Sequence, residues 1–224
     1  MAAAAGDAAV SVVTGDTKVV QKGMGDGVYI TTTGVGVVAE GQELSGDRAR
    51  PGDRIIVSGS IGEHGMAIMA QRESIGFAAP IVSDTAALHG LIAAMRASGA
   101  AIRALRDPTR GGVATTLNEI ARQSGVGMML QESALPVQAE VVAACEFLGL
   151  DPLYVANEGK LLAIVAPEDT DSLLAAMQAH PLGQLAALIG TVHRDAQHFV
   201  QMTTAFGGRR IVDWLTGEQL PRIC

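Results

Sequence analysis

An α/β fold, α and β mixed, is predicted by three observations. From Asp53 onward, short apolar and β-branched runs alternate with helical stretches of roughly 10–15 residues, the pattern that layers helices on a sheet. Apolar residues make up 48% of the 224 and aromatics only 3%. A chain of this length buries a substantial core, and here that core has to be built from Ala, Val, Leu, Ile and Met. Turn and cap residues (Gly, Asp, Pro) stand between the runs rather than inside them.

In chain order, Met1 to Ala9 is Ala-rich and reads as the end of a helix. Val10 to Val13 is a short β-branched run. It breaks at the turn sequence Thr14-Gly15-Asp16-Thr17, and Lys18-Val19-Val20 follows. Gly27 to Val38 carries valines and threonines around Gly34 and reads as one or two strands. The polar stretch Glu40 to Pro51 is the expected domain boundary. Asp53 to Ser60 reads as a buried strand, and Met66 to Gln71 as an apolar helix after Gly62-Glu63-His64-Gly65. Asp84 is the expected N-cap of the next helix and Gly99 its closing residue.

A strand over Ala101 to Leu105 runs into Asp107-Pro108-Thr109-Arg110-Gly111-Gly112. A helix over Val113 to Gln123 stops at Gly125. A strand over Val126 to Leu130 precedes a helix over Val137 to Leu148. Asn157-Glu158-Gly159 is a turn, and Lys160 to Val165 a strand. Pro167 to Gln178 is a helix with acidic residues in its first turn, where the helix dipole favours them. Leu185 to Val192 and Gln197 to Met202 read as strands.

The net charge is −7, with no cluster of Lys and Arg. This argues against nucleic acid or an anionic membrane as the main partner. The two cysteines, Cys145 and Cys224, cannot form a secreted disulfide framework. No secretory leader pattern opens the chain and no apolar run is long enough to span a bilayer, so the expected compartment is the cytosol.

Reactive groups coincide with turn geometry in a few places. In Thr14-Gly15-Asp16-Thr17-Lys18, Asp16 can hold Mg²⁺ and Lys18 can meet a phosphate or move a proton; an ordinary solvated turn reads equally from the residues. Asp107 to Gly112 is a strand-to-helix junction with paired glycines, suited to a phosphate at the helix N-terminus or to a plain capped start. It is neither a Walker A loop nor a Rossmann fingerprint. Glu158 is a candidate base or a polar turn residue. A lone His64 is not a zinc site. Cys145 lies in an apolar helical run and reads as a core thiol. Cys224 is the last residue, a thiol behind the stiff Pro221, on an arm short enough to enter a pocket or lie idle.

Taken together, Val13 to Val20, Asp107 to Ala114, Asn157-Glu158-Gly159 and the terminal Pro221-Arg222-Ile223-Cys224 resemble the HypE family of hydrogenase maturation proteins. That family sits in the aminoimidazole-ribonucleotide synthetase (PurM-like) superfamily of ATP-using enzymes. The resemblance implies a PurM-like C-terminal domain of mixed sheet with flanking helices over residues 45–224. It implies that residues 1–44 are a remnant of an N-terminal, ATP-binding and dimerising domain, with the chain beginning inside that domain and hydrolysing ATP poorly by itself. It also implies a reaction in [NiFe]-hydrogenase maturation. A carbamoyltransferase, HypF, places a carboxamide on the terminal thiol. ATP-dependent dehydration turns it into a thiocyanate, and the cyano group passes to iron on a HypC–HypD scaffold.

On this resemblance Cys224 carries the substrate group, and Lys18 and Glu158 help remove the amide protons. Asp16 and Thr17 lie near Mg²⁺ and the phosphates. Asp107, Thr109, Gly111 and Gly112 form nucleotide-phosphate surroundings, and His64 has no assigned role. The implied cofactors are ATP and Mg²⁺, and the family is homodimeric at full length. The readings to set against this one are a binding module that docks maturation partners without catalysis, and another ATP-dependent member of the superfamily.

Overall fold

The computed structural model describes residues 1–25, 27–38, 40–41, 43–72, 76 and 80–215. It divides into two compact units, Met1–Glu43 and Leu44–Cys224.

In the first unit, α1 (Ala2–Asp7) is a short alanine helix with no buried residue. The strands expected at Val10–Val13 and Gly27–Val38 do not form among the described residues, and Thr14 to Thr17 makes no turn. Val13, Val35 and Val37 are almost completely exposed. The reason is physical. β-Branched residues favour strands because they pack on neighbouring strands, and a lone extended segment has no such surface.

The second unit is built on a seven-stranded sheet in the order β2-β4-β1-β5-β3-β6-β7. The strands are β1 (Arg54–Val57), β2 (Ile102–Arg106), β3 (Gly127–Gln131), β4 (Leu162–Val165), β5 (Ala187–His193), β6 (Val200–Thr203) and β7 (Arg209–Ile211). The β3–β6 pair is parallel and the other ladders are antiparallel. The helices are α2 (Glu63–Arg72), α3 (His89–Ala97), α4 (Gly112–Ser124), α5 (Ala139–Leu148) and α6 (Thr170–Gln178). The sheet is therefore mixed, with flanking helices, as expected. Strand β7, with two arginines in three residues, was not foreseen.

Alternation along the central strands sorts side chains to the two faces. Ile55 and Val57 of β1 and Leu162 and Ile164 of β4 join Val113, Leu117 and Ile120 of α4 in one core. Ile56, Ala163 and Val165 point the other way and pack with Leu91 and Met95 of α3 and Leu173 and Met177 of α6. A smaller cluster joins Met66 of α2 to Val141, Ala144 and Cys145 of α5. Burial pushes the Cys145 thiol up to about 11, and Asp151 adds to it. Cys145 is thus a packing residue of this cluster. Helix α4 ends as its sequence predicts, with Gly125 left-handed at φ 67°.

One expectation fails in a useful way. Helix α3 begins at His89, and Asp84 does not cap it. Its carboxylate accepts instead from the Glu158 N–H at 3.1 Å. The long-range partner takes the oxygens that a cap would have used.

Candidate functional site

Three loops of the second unit meet above the ends of β1, β2 and β4, and Asn157 ties them together. It is fully buried. Its Nδ2 donates to the Pro108 and Val155 carbonyls at 3.0 Å each. Its Oδ1 accepts from the Gly62 N–H at 2.7 Å, and its own N–H donates to Pro108 O at 3.1 Å. One side chain thus fixes the β1–α2 turn, the β2–α4 junction and the loop before β4. The sequence marks Asn157 only as a turn residue, because its partners lie far away in the chain.

The β2–α4 junction holds Asp107, Thr109, Gly111 and Gly112. Asp107 is exposed, 3.8 Å from Arg106 Nε. The Thr109 carbonyl accepts from the Gly112 N–H at 3.0 Å. Gly111 and Gly112 have φ of 70° and 60°, the left-handed region that favours glycine. A Cβ on Gly112 would stand 2.5 Å from Leu153 O and 2.7 Å from Val155 O. Close approach is therefore used here, but by the protein's own backbone. Among the described residues no side chain caps the N-terminus of α4; its first amide is taken by the Thr109 carbonyl, and Val113 and Ala114 are buried.

Beside the junction lies a group of shielded polar atoms. Glu158 is half-buried, and its Oε1 has no hydrogen-bond partner among the described residues. A buried acceptor left without a donor costs about 1–3 kcal/mol. Lys160 Nζ lies 3.2 Å from Asp84 Oδ2, off hydrogen-bond alignment, as an ion pair whose side chains are 13% and 3% exposed. The Ser60 hydroxyl donates to Glu63 Oε1. His64, buried, shares a 2.8 Å hydrogen bond between its Nδ1 and the Ser83 hydroxyl. Its Nε2 and Glu63 Oε2 are shielded and unpartnered among the described residues. A cleft of about 200 Å³ opens between Gly59, Ser60, Asp84, Gly159 and Lys160 on one side and Leu182 and Leu185 on the other. It is smaller than the usual range for a drug-sized ligand, about 300–1,000 Å³, so it suits a small group rather than a whole nucleotide.

Asp16, Thr17 and Lys18 lie exposed in the first unit. Cys224 lies outside the described residues. The structure thus brings Asp107, Thr109, Gly111, Gly112 and Glu158 into one region of the second unit, and adds Asp84, Asn157 and Lys160, which sequence reasoning had not selected. The turn Asn157-Glu158-Gly159, which runs directly into Lys160, was a signal for the last two. Nothing local in the sequence marks Asp84 for this place. Among the described residues no group of three or more His, Cys, Asp or Glu could hold a metal ion, and no helix is long and apolar enough to cross a membrane.

Residues 50–203 match the family model of AIR synthase related protein, C-terminal domain. Along its whole length the chain is 68% identical to the carbamoyl dehydratase HypE of Azotobacter vinelandii, and it spans 66% of that protein, just under two thirds. It superposes on a crystal structure of a HypE–HypF complex with a TM-score of 0.88 at 44% identity, covering 96% of this chain and 70% of that one. It superposes on the hydrogenase maturation protein HypE in complex with ATP with a TM-score of 0.76 at 48% identity, covering 81% and 55%. By its family model, its identity to these relatives and the match of its fold to theirs, this chain belongs to the HypE family of AIR synthase related proteins.

Proposed function

We propose that this chain takes part in [NiFe]-hydrogenase maturation, converting an S-carboxamide on its own Cys224 into a thiocyanate at the expense of ATP. The observation that carries the reading is Glu158. It is a carboxylate with a shielded oxygen that has no partner among the described residues, on a loop fixed by Asn157, in a chain 68% identical to a carbamoyl dehydratase.

The chemistry balances. The carboxamide and ATP give the thiocyanate, ADP and phosphate. The amide oxygen is a poor leaving group until it is phosphorylated, and it then departs as phosphate. Removal of the two N–H protons opens the C≡N bond, and both protons end on the released phosphate. Glu158 and Lys18 are the groups that take and relay them. Asp107, Thr109, Gly111 and Gly112, at the start of α4, contribute to the surroundings of the nucleotide phosphates. A solved relative is a complex with ATP, which supports nucleotide binding here. Asp16 and Thr17 would lie near Mg²⁺, which binds through one or two carboxylates plus substrate phosphates and water rather than through an all-protein cage.

A carbamoyltransferase of the HypF kind supplies the carboxamide; the HypE–HypF complex supports this. A HypC–HypD scaffold receives the cyano group, and the working unit is a homodimer. Mass spectrometry of the C-terminal peptide tests the reading, after incubation with the carbamoyltransferase, carbamoyl phosphate and ATP. The expected result is a carboxamide adduct on Cys224 followed by loss of one water, abolished in Cys224→Ala. No adduct at all overturns the reading. An adduct that persists with ATP present leaves a docking module that presents the thiol without dehydrating it.

A further inference from the structure

We propose that Asp84 and Lys160 are positioning residues for Glu158. The inference rests on the dehydration reading, in which Glu158 takes a proton. Asp84 grips the loop on both sides of Glu158. Its Oδ1 accepts from the Glu158 N–H at 3.1 Å, and its Oδ2 meets Lys160 Nζ at 3.2 Å. Between these two contacts Gly159 lies so close to the 84–86 backbone that a Cβ would fall 1.7 Å from the Asp84 carbonyl oxygen.

The grip is itself held. Ser83, the preceding residue, bonds the buried His64 ring at 2.8 Å. Lys160 crosses over Gly59, where a Cβ would stand 3.1 Å from its Cε. The main chain of Glu158 is therefore held at its N–H and at the neighbouring Gly159, while its Oε1 has no donor among the described residues. A group that must receive a proton is best served this way, with its backbone immobilised and its acceptor oxygen open. Lys160 also balances the charge of Asp84, which has a side chain only 3% exposed. Both Asp84 oxygens are thereby committed to the loop and to Lys160, and Glu158 is the carboxylate left open to substrate.

Two readouts on the full chain test the proposal. The first is amide hydrogen exchange at Glu158. Asp84→Ala should speed it at least tenfold, and Asp84→Asn, which keeps the acceptor oxygen, should hold it near wild type. The second is the rate of water loss from the Cys224 carboxamide. Asp84→Ala and Lys160→Met should lower it by about 10–100-fold with the KM for ATP unchanged, and Asp84→Asn and Lys160→Arg should restore much of it. Wild-type exchange at Glu158 in Asp84→Ala overturns the grip. Wild-type dehydration by Asp84→Ala, where Glu158→Gln has none, overturns the positioning role and leaves the dehydration reading standing. Wild-type dehydration by Glu158→Gln overturns the use of Glu158 in that reaction, and with it the positioning role.

Discussion

The two units use the same kind of residue with opposite results. In the second unit the run Ile55-Ile56-Val57 is completely buried, because β4 and β5 pair with β1 on either side and helices cover both faces. In the first, Val35 and Val37 are as apolar and as β-branched, yet fully exposed. Composition therefore does not make a strand. Partner strands do, by satisfying the backbone and giving alternate side chains a surface to pack on. The chemistry follows the same division. Glu158 is held by neighbours at known distances, whereas Lys18 sits on an extended exposed segment.

The largest expected effect separates the units directly. Amide hydrogen exchange should be at least about a thousandfold slower at Ile56 and Ala163 than at Val12 to Val20, because core strands open only with global unfolding and unpaired segments exchange almost freely. Truncation should follow suit. Leu162→Ala should cost about 2–5 kcal/mol in urea unfolding, and Val35→Ala within about 0.5 kcal/mol of nothing. Equal protection in the two regions would break the comparison.

Next in size are the residues that close the site. Gly112→Ala adds a methyl 2.5 Å from a carbonyl oxygen, at a left-handed φ. The strain and the overpacking together should cost about 3 kcal/mol. Asn157→Ala strands the Gly62 N–H, which is otherwise bonded at 2.7 Å, and opens a cavity, for about 2–4 kcal/mol. Either variant unfolding at the wild-type urea midpoint would show that the loops hold without them.

Much of the second unit was legible because its signals are local. The buried run at Ile55 to Val57, the helix stop at Gly125 and the apolar surroundings of Cys145 all declare themselves within a few residues. What escaped was long-range. Asp84 looks like a helix cap, and a carboxylate before a helix ordinarily is one; its actual partner is 74 residues away. Asn157 reads as a turn, and its bonds to Pro108 and Gly62 span 49 and 95 residues. The Val10–Val38 runs failed for the converse reason, since the local signal was present and the pairing was not. Glu158 was picked out by its motif, but the shielding of its Oε1 is a property of the folded chain.

A subtler contrast concerns the two thiols. Burial holds Cys145 at about 11 rather than 9.0. That shift alone lowers its thiolate about a hundredfold near neutral pH. Iodoacetamide should therefore leave Cys145 unlabelled in the folded chain at times when a free thiol is fully alkylated, and label it in urea. Native labelling of Cys145 at the rate of a free thiol would show that its packing does not shield it.

The smallest effect tests electrostatics in the well-packed unit. Asp53 is buried at the start of β1. Burial is the largest influence on its carboxyl and raises it above 3.8, against the Arg50 N–H and Arg103, which pull the other way. A carboxyl that holds its proton more tightly when folded stabilises the fold at low pH. That contribution is lost as pH rises from near the unfolded value through the folded one. Asp53→Asn keeps an acceptor for the Arg50 N–H, now bonded at 2.8 Å, and cannot ionise. Its stability relative to wild type should therefore rise as pH increases from the unfolded carboxyl value through the raised folded one, and level off above. A relative stability that falls over that range would mean that Arg103, 3.8 Å away, outweighs desolvation, and that this buried charge is held for its ion pair.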